Sequence, residues 1–222
     1  MNIFAAIAFT AALAPALGFA APLTSDTLSS PAVYDFSAGP QFSNTSGPHV
    51  RTIGTQTVTI TATGGKGFVD FVSATNWNLG GNGGWNSGRG GFGAYGAAGG
   101  SMSFTFAELV SGVGGFFNYS SNSGGSLPHV WLAIYDDADA LIESWNVTVD
   151  APISTPGVDN AGAFRGFQLA SASIRRFEMF NAYVVIDDLT ISSVVAPAVP
   201  LPAAGVLLLG ALGALGLVRR RG

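Results

Sequence analysis

The chain has 222 residues, 31 glycines and no cysteine, and only 10% of its residues are charged. Without cysteine there is no disulfide framework, so any folded part must hold by packing, hydrogen bonds or ions. Setting aside three arginines at the C-terminus leaves six basic residues against thirteen acids, a net charge of −7. That balance excludes nucleic acid as a partner, because phosphate neutralisation needs basic clusters.

The chain begins with an apolar run from Ile3 to Phe19 that ends in small residues, Gly18-Phe19-Ala20. This predicts a signal peptide over residues 1–20, cut by signal peptidase after Ala20. Residues 21–198 are then long enough for one domain. Alternation dominates them. In "TQTVTITAT" the residues Val58, Ile60 and Ala62 share a face, and in "SMSFTF" the residues Met102, Phe104 and Phe106 do. Each is the pattern of a strand buried on one side.

The segment 80–100, "GGNGGWNSGRGGFGAYGAAGG", breaks the alternation. It offers almost no side chains for a core, so it is expected to be a long surface loop. Its isolated aromatics Trp85, Phe92 and Tyr95 are candidates for stacking on sugar rings. It does not spell a nucleotide-binding loop.

"VWLAIY" and "LIESWNVTV" flank "DDADA" and predict a hairpin. Leu141, Glu143, Trp145, Val147 and Val149 would share one face of its second strand. Asp136, Asp137 and Asp139 at the tip could serve as turn formers or as calcium ligands. Further strands are expected near 33–37, 67–72, 113–119, 163–169, 174–180 and 183–192. About ten short strands predict an all-β fold, a two-sheet jelly-roll-like β-sandwich.

In "YVVIDDLTI" a regular strand would turn Asp187 inward with Val185, Leu189 and Ile191, and Asp188 outward. A buried carboxylate must be paired, hydrogen-bonded or metal-bound. Candidate partners are Arg165, Arg175, backbone N–H groups, or a calcium ion shared with Asp35; a bulge at this point is the alternative. No cofactor is otherwise required. Gly-x-Ser-x-Gly and HExxH are both missing, and His49 and His129 each follow a proline in loop-like sequence, so no catalytic residue is assigned.

The tail is tripartite. Val199, Pro200, Leu201, Pro202 and Ala203 form a short proline motif, Ala203–Val218 is free of polar side chains, and Arg219, Arg220 and Arg221 follow. A helix over 203–218 would span about 24 Å, against a bilayer core of about 30 Å. The arginines would keep the extreme C-terminus in the cytoplasm.

This order resembles the PEP-CTERM-type sorting signals of Gram-negative bacteria, in the VPLPA-CTERM spelling. The resemblance implies processing by an exosortase near Pro200–Ala203, after transient tethering through a transmembrane helix, and delivery to the cell surface. A permanent single-span anchor is the alternative. The stretch 162–192, "GAFRGFQLASASIRRFEMFNAYVVIDDLTIS", also resembles the C-terminal part of β-sandwich domains common in such proteins. Those domains are similar in layout to jelly-roll carbohydrate-binding modules. The expected function is a secreted, surface-sorted, non-catalytic protein that binds glycan or extracellular matrix. The alternatives are a purely structural matrix protein and a secreted glycan hydrolase or lyase.

Overall fold

A computed structural model of the chain describes residues 21–193, apart from 38, 72–76, 86–90, 121–128, 156–158 and 181–183. The predicted leader 1–20 and tail 199–222 lie outside the described residues. Among the described residues no helix is long and apolar enough to cross a membrane.

The protein is mostly β, as its alternation predicts. In chain order the strands are β1 (Ala21–Leu23), β2 (Ala32–Tyr34), β3 (Phe42–Thr45), β4 (His49–Ile53), β5 (Gln56–Phe71), β6 (Trp77–Asn78), β7 (Gly84–Trp85) and β8 (Gly91–Val110). They continue as β9 (Gly112–Tyr119), β10 (Trp131–Tyr135), β11 (Leu141–Asn146), β12 (Asp159–Asn160), β13 (Ala163–Gln168), β14 (Ile174–Phe180) and β15 (Val184–Ser192). One helical turn, α1 (Val147–Asp150), follows β11. The second hairpin strand therefore stops at Asn146 rather than running through Val147 and Val149. Val147 is buried at the start of that turn, and Val149 is exposed.

Hydrogen bonds run along the order β1-β13-β9-β15-β8-β14-β10-β11, with β5 joining β8 to β3 and β4. On a flat sheet β13 and β14 would lie four strand steps apart, about 19 Å. Yet the rings of Phe167 and Phe177 are 6.4 Å apart, and Trp145 of β11 is 6.3 Å from Phe167. The sheet therefore folds over on itself into two facing layers, consistent with a β-sandwich. Phe104, Phe117, Phe167 and Phe177 fill the space between them.

The fold line runs through β5 and β8, which belong to both layers. Val58–Ala62 of β5 pairs with Met102–Phe106 of β8 in one layer, and Gly65–Phe68 pairs with Gly93–Gly96 in the other. Between these stretches Thr63 opposes Ser101 and Gly65 opposes Gly96, so five residue steps of β8 face two of β5. Gly64 takes φ +67° at this corner, a conformation that favours glycine. Residues 91–100 are thus a strand, which corrects the loop expected there. Within this stretch β5 pairs with Gly91 and Gly93–Gly96, and Val184–Ile186 of β15 pairs with Phe92–Ala94 from the other side. Ladder hydrogen bonds do not require side chains.

A small sheet, β12-β7-β6, adds a second apolar cluster of Leu79 and Trp85 against Val185 of β15.

The open side near β2 and β4 is closed by a polar node. Asp70 has φ +52°, is 1% exposed and lies within β5 at an irregular stretch of its pairing with β8. Its carboxylate accepts the Tyr34 hydroxyl at 2.6 Å and Arg51 Nε at 2.7 Å, with Arg51 Nη2 at 2.6 Å. Burial, and then the Asp70 carboxylate, push the Tyr34 hydroxyl pKa well above its ordinary value. Gly39 lies so close that a Cβ there would strike the Asp70 carboxylate. Phe42 lies beneath the Arg51 guanidinium and stacks on His49, whose pKa is lowered by burial and by Arg51. Three strands thus meet on one carboxylate. Removing one partner of such a pair leaves the other charge buried, at a cost of about 3–5 kcal/mol. Asp70→Ala should lose that much stability in urea unfolding, and a loss below about 1 kcal/mol would show that the node holds little.

Candidate ligand face

The outer surface of one layer is built by strand alternation. Along β10, Leu132 and Ile134 enter the core and Trp131 and Tyr135 face out, while Ala133 between them, on the same side of the strand, is fully buried. Phe177 and Met179 of β14 enter the core, leaving Arg176, Glu178 and Phe180 outside. On β5 and β8 the outward residues are threonines and serines, because Val58, Ile60, Met102 and Phe104 take the core.

Register orders these side chains into rows that cross the strands. Trp131 opposes Phe180, which opposes Ser101, which opposes Thr63. The two rings are nearly parallel, 13° apart in plane with centroids 6.4 Å apart. Thr63 and Ser101 hydroxyls meet at 2.9 Å. In the next row Ser144, Ala133, Glu178, Ser103 and Thr61 stand opposite one another. In the third row Tyr135 opposes Arg176, which opposes Thr105 and then Thr59. At β10 and β14, where the rows on either side carry large side chains, the middle row holds Ala133, which is fully buried, and Glu178, which is bonded to Arg176.

The charges on this face are paired. The Arg176 guanidinium lies 3.6 Å from the Tyr135 ring centroid and contacts Glu178 Oε2 at 2.6 Å and Asp139 Oδ1 at 2.6 Å. Burial, and then Glu178, raise the Tyr135 pKa. Arg175 Nε donates to Asp137 at 2.6 Å. Asp136 accepts the N–H groups of Ala138 and Ala140, a turn-closing arrangement. The three tip aspartates thus serve one turn and two arginines.

The other predicted residues fall elsewhere. Trp85 is 3% exposed and packs on Leu79 and Val185, which corrects its place among exposed ligand aromatics. Phe92 and Tyr95 lie on β8 opposite Ile186 and Lys66, and the placement of their side chains lies outside the described structure. The sorting residues Val199–Ala203 and Arg219–Arg221 also lie outside the described residues.

Asp187 is 1% exposed, as expected of a buried carboxylate, but the phase of its strand is different. Three steps of β15 from Asp187 to Thr190 face two steps of β9, which marks a bulge. Val184 and Ile186 enter the main core before it, and Leu189 and Ile191 after it. Asp187 therefore shares the opposite face with Val185. Its Oδ1 accepts the N–H of Asp188 at 2.7 Å, and Asp188 takes φ +49°. Neither predicted arginine is a match. Arg165 donates to the carbonyls of Ala151, Pro152 and Phe164, and burial lowers its pKa. Arg175 goes to Asp137 and to backbone carbonyls of β8. Asp35 is exposed and accepts the Ser37 N–H, which lowers its pKa. Among the described residues no group of three or more His, Cys, Asp or Glu comes together to hold a metal.

Neither Trp131 and Phe180 nor the Tyr34–Asp70–Arg51 node was singled out from sequence. The outward phase of "WLAIY" was a usable signal for the former. The latter joins positions 19 and 36 residues apart and left none. Comparison with known proteins finds no matching family model, no similar curated protein and no similar solved structure.

The bulge makes separate demands on its two aspartates. Asp187→Ala should cost about 1–3 kcal/mol, because the part-buried Asp188 N–H loses its acceptor. At position 188, Asp188→Gly should cost less than Asp188→Val, since glycine accepts the positive φ that a β-branched residue resists. Chemical unfolding of these variants measures both, and equal effects of the two changes at Asp188 would contradict the bulge.

Proposed function

We propose that this is an exported, surface-sorted, non-catalytic protein with a jelly-roll-like β-sandwich that binds extracellular polysaccharide. The observation that carries the reading is the outer face of the β5-β8-β14-β10-β11 layer. It combines aromatic rings, serine and threonine hydroxyls, and charges already neutralised by one another. Sugars present apolar ring faces and a rim of hydroxyls, and such a face matches both. A net charge of −7 outside the terminal arginines disfavours anionic ligands.

Export and sorting rest on the apolar leader and on the VPLPA-type tail. In this reading signal peptidase removes residues 1–20. An exosortase-type enzyme acts at Val199–Ala203 while helix 203–218 holds the chain in the membrane. The domain needs no cofactor for binding, and calcium at Asp187 remains outside the proposal.

The test is retention on a panel of immobilised neutral polysaccharides. Trp131→Ala should weaken retention about tenfold, a loss of about 1.4 kcal/mol. Unchanged retention would move the binding surface elsewhere. A failure of the native protein to bind any member, together with self-association, would favour the purely structural alternative.

A further inference from the structure

Resting on the reading of residues 203–218 as a membrane helix, we infer that one pole of the sandwich faces the lipid headgroup surface while the tail holds the chain, with Trp131 and Phe180 at the end farthest from it. Register defines the pole. Ala21 opposes Gln168, Gln168 opposes Gly112, and Gly112 opposes Ser192, so one row crosses β1, β13, β9 and β15. Ala21 is the first residue after the predicted leader. Ser192 ends β15, and the sequence then runs on into the tail. The points where the chain enters and leaves the fold are therefore three strand steps apart, about 14 Å.

The exit is fastened. Ser111 donates from its N–H at 2.7 Å and its hydroxyl at 3.0 Å to the Ser192 carbonyl, and the Ser192 hydroxyl donates to the Ser29 carbonyl. Helix 203–218 spans about 24 Å of a core about 30 Å thick, so residues 199–202 would complete the crossing. Residues 193–198 are then the linker, and they reach about 22 Å at most. From Val184 to Ser192, β15 itself rises about 27 Å. The tether is thus shorter than the domain is tall, and it joins the domain at one end.

Composition fits this placement. Leu169 and Ser173 bond the carbonyls of Ser111 and Val110, which brings 168–174 beside the exit. Residues 109–113, 168–174 and 189–193 contain no charged side chain, although the chain outside its terminal arginines carries −7. The acids nearest to these segments and to β1 in the sequence are Asp26 and Glu108. An anionic headgroup surface repels the rest of the domain more than it repels this pole.

Trp131 and Phe180 sit at the other end. Ile174 opposes Val110 beside the pole, and Phe180 closes the same strand, about 20 Å farther along. Trp131 opposes Phe180. The aromatic pair is therefore clear of the membrane before the tail is cut, and the tethered protein can already engage polysaccharide.

The chain has no cysteine, so single introduced cysteines report single sites. Ser171 and Ala170 are exposed at the pole, and Ser154 and Thr63 are exposed at the far end. Ile153, beside Ser154, donates its N–H to the Tyr119 hydroxyl, and Tyr119 opposes Val184. Thr63 stands in the row of Phe180. The tail-bearing chain of each variant is placed in vesicles of phosphatidylethanolamine and phosphatidylglycerol. It is treated with a membrane-impermeant maleimide polymer too wide for the linker gap, and separately with a small maleimide. Ser171→Cys should react with the polymer about tenfold more slowly than Ser154→Cys, because the linker keeps its pole within about 22 Å of the surface. The small maleimide should react alike at both. Ala170→Cys and Thr63→Cys should repeat the contrast, and they cover a variant that does not fold. Equal polymer rates at the two ends relative to the small probe, or slower reaction at Ser154, overturn the orientation and leave the membrane tether standing. Chain that does not float with the vesicles overturns the tether, and the orientation with it.

Discussion

The pairing of β5 with β8 is the constraint on which the structure depends. Both strands cross from one layer to the other, so their ladder sets the angle and spacing of the two layers together. The corner permits few side chains. Gly64 turns one strand, and the tract Gly96–Gly100 lets the other take its longer path around the bend. With the corner set, Phe104 and Phe177 on one layer come to face Phe117 and Phe167 on the other. Arg51 and Asp70 then lock β4 of the first layer to the second half of β5.

The same pairing builds the candidate ligand face. Thr61 and Ser103 are partners in the β5–β8 ladder, and Glu178 and Ala133 continue their row through β14 and β10. A slip of one residue between β5 and β8 would turn the hydroxyls inward and the phenylalanines out. Core and face are therefore two sides of one register. The paired charges at the hairpin tip complete the face. Arg176 ties Glu178 of its own strand to Asp139 of the turn and stacks on Tyr135.

Much of this was legible in the sequence, and the failures have physical causes. Val58-Ile60-Ala62 and Met102-Phe104-Phe106 alternate, and they are core residues. Asp187 was read as buried, and it is. Its facing was misread because period-two reasoning assumes an unbroken strand, and one extra residue at Asp188 reverses the phase of everything before it. Residues 91–100 were read as a loop because glycine carries no packing signal. What orders the first part, Gly91–Gly96, is backbone pairing to β5 and β15, which side-chain patterns do not encode. Trp85 was placed among ligand aromatics for the same reason, although Leu79 and Val185 supply it with an apolar site. The node of Tyr34, Arg51 and Asp70 needs three strands brought together, and no local pattern reports it.

The most direct test of the central pairing is native-state hydrogen exchange read along β8. If β8 runs unbroken through both layers, the ladder amides of Gly93–Gly96 exchange by the same cooperative opening as those of Met102–Phe106, with similar protection. Protection confined to Met102–Phe106, with Gly93–Gly96 exchanging at the rate of an open chain, would contradict a shared strand and would detach the second layer from the corner described above.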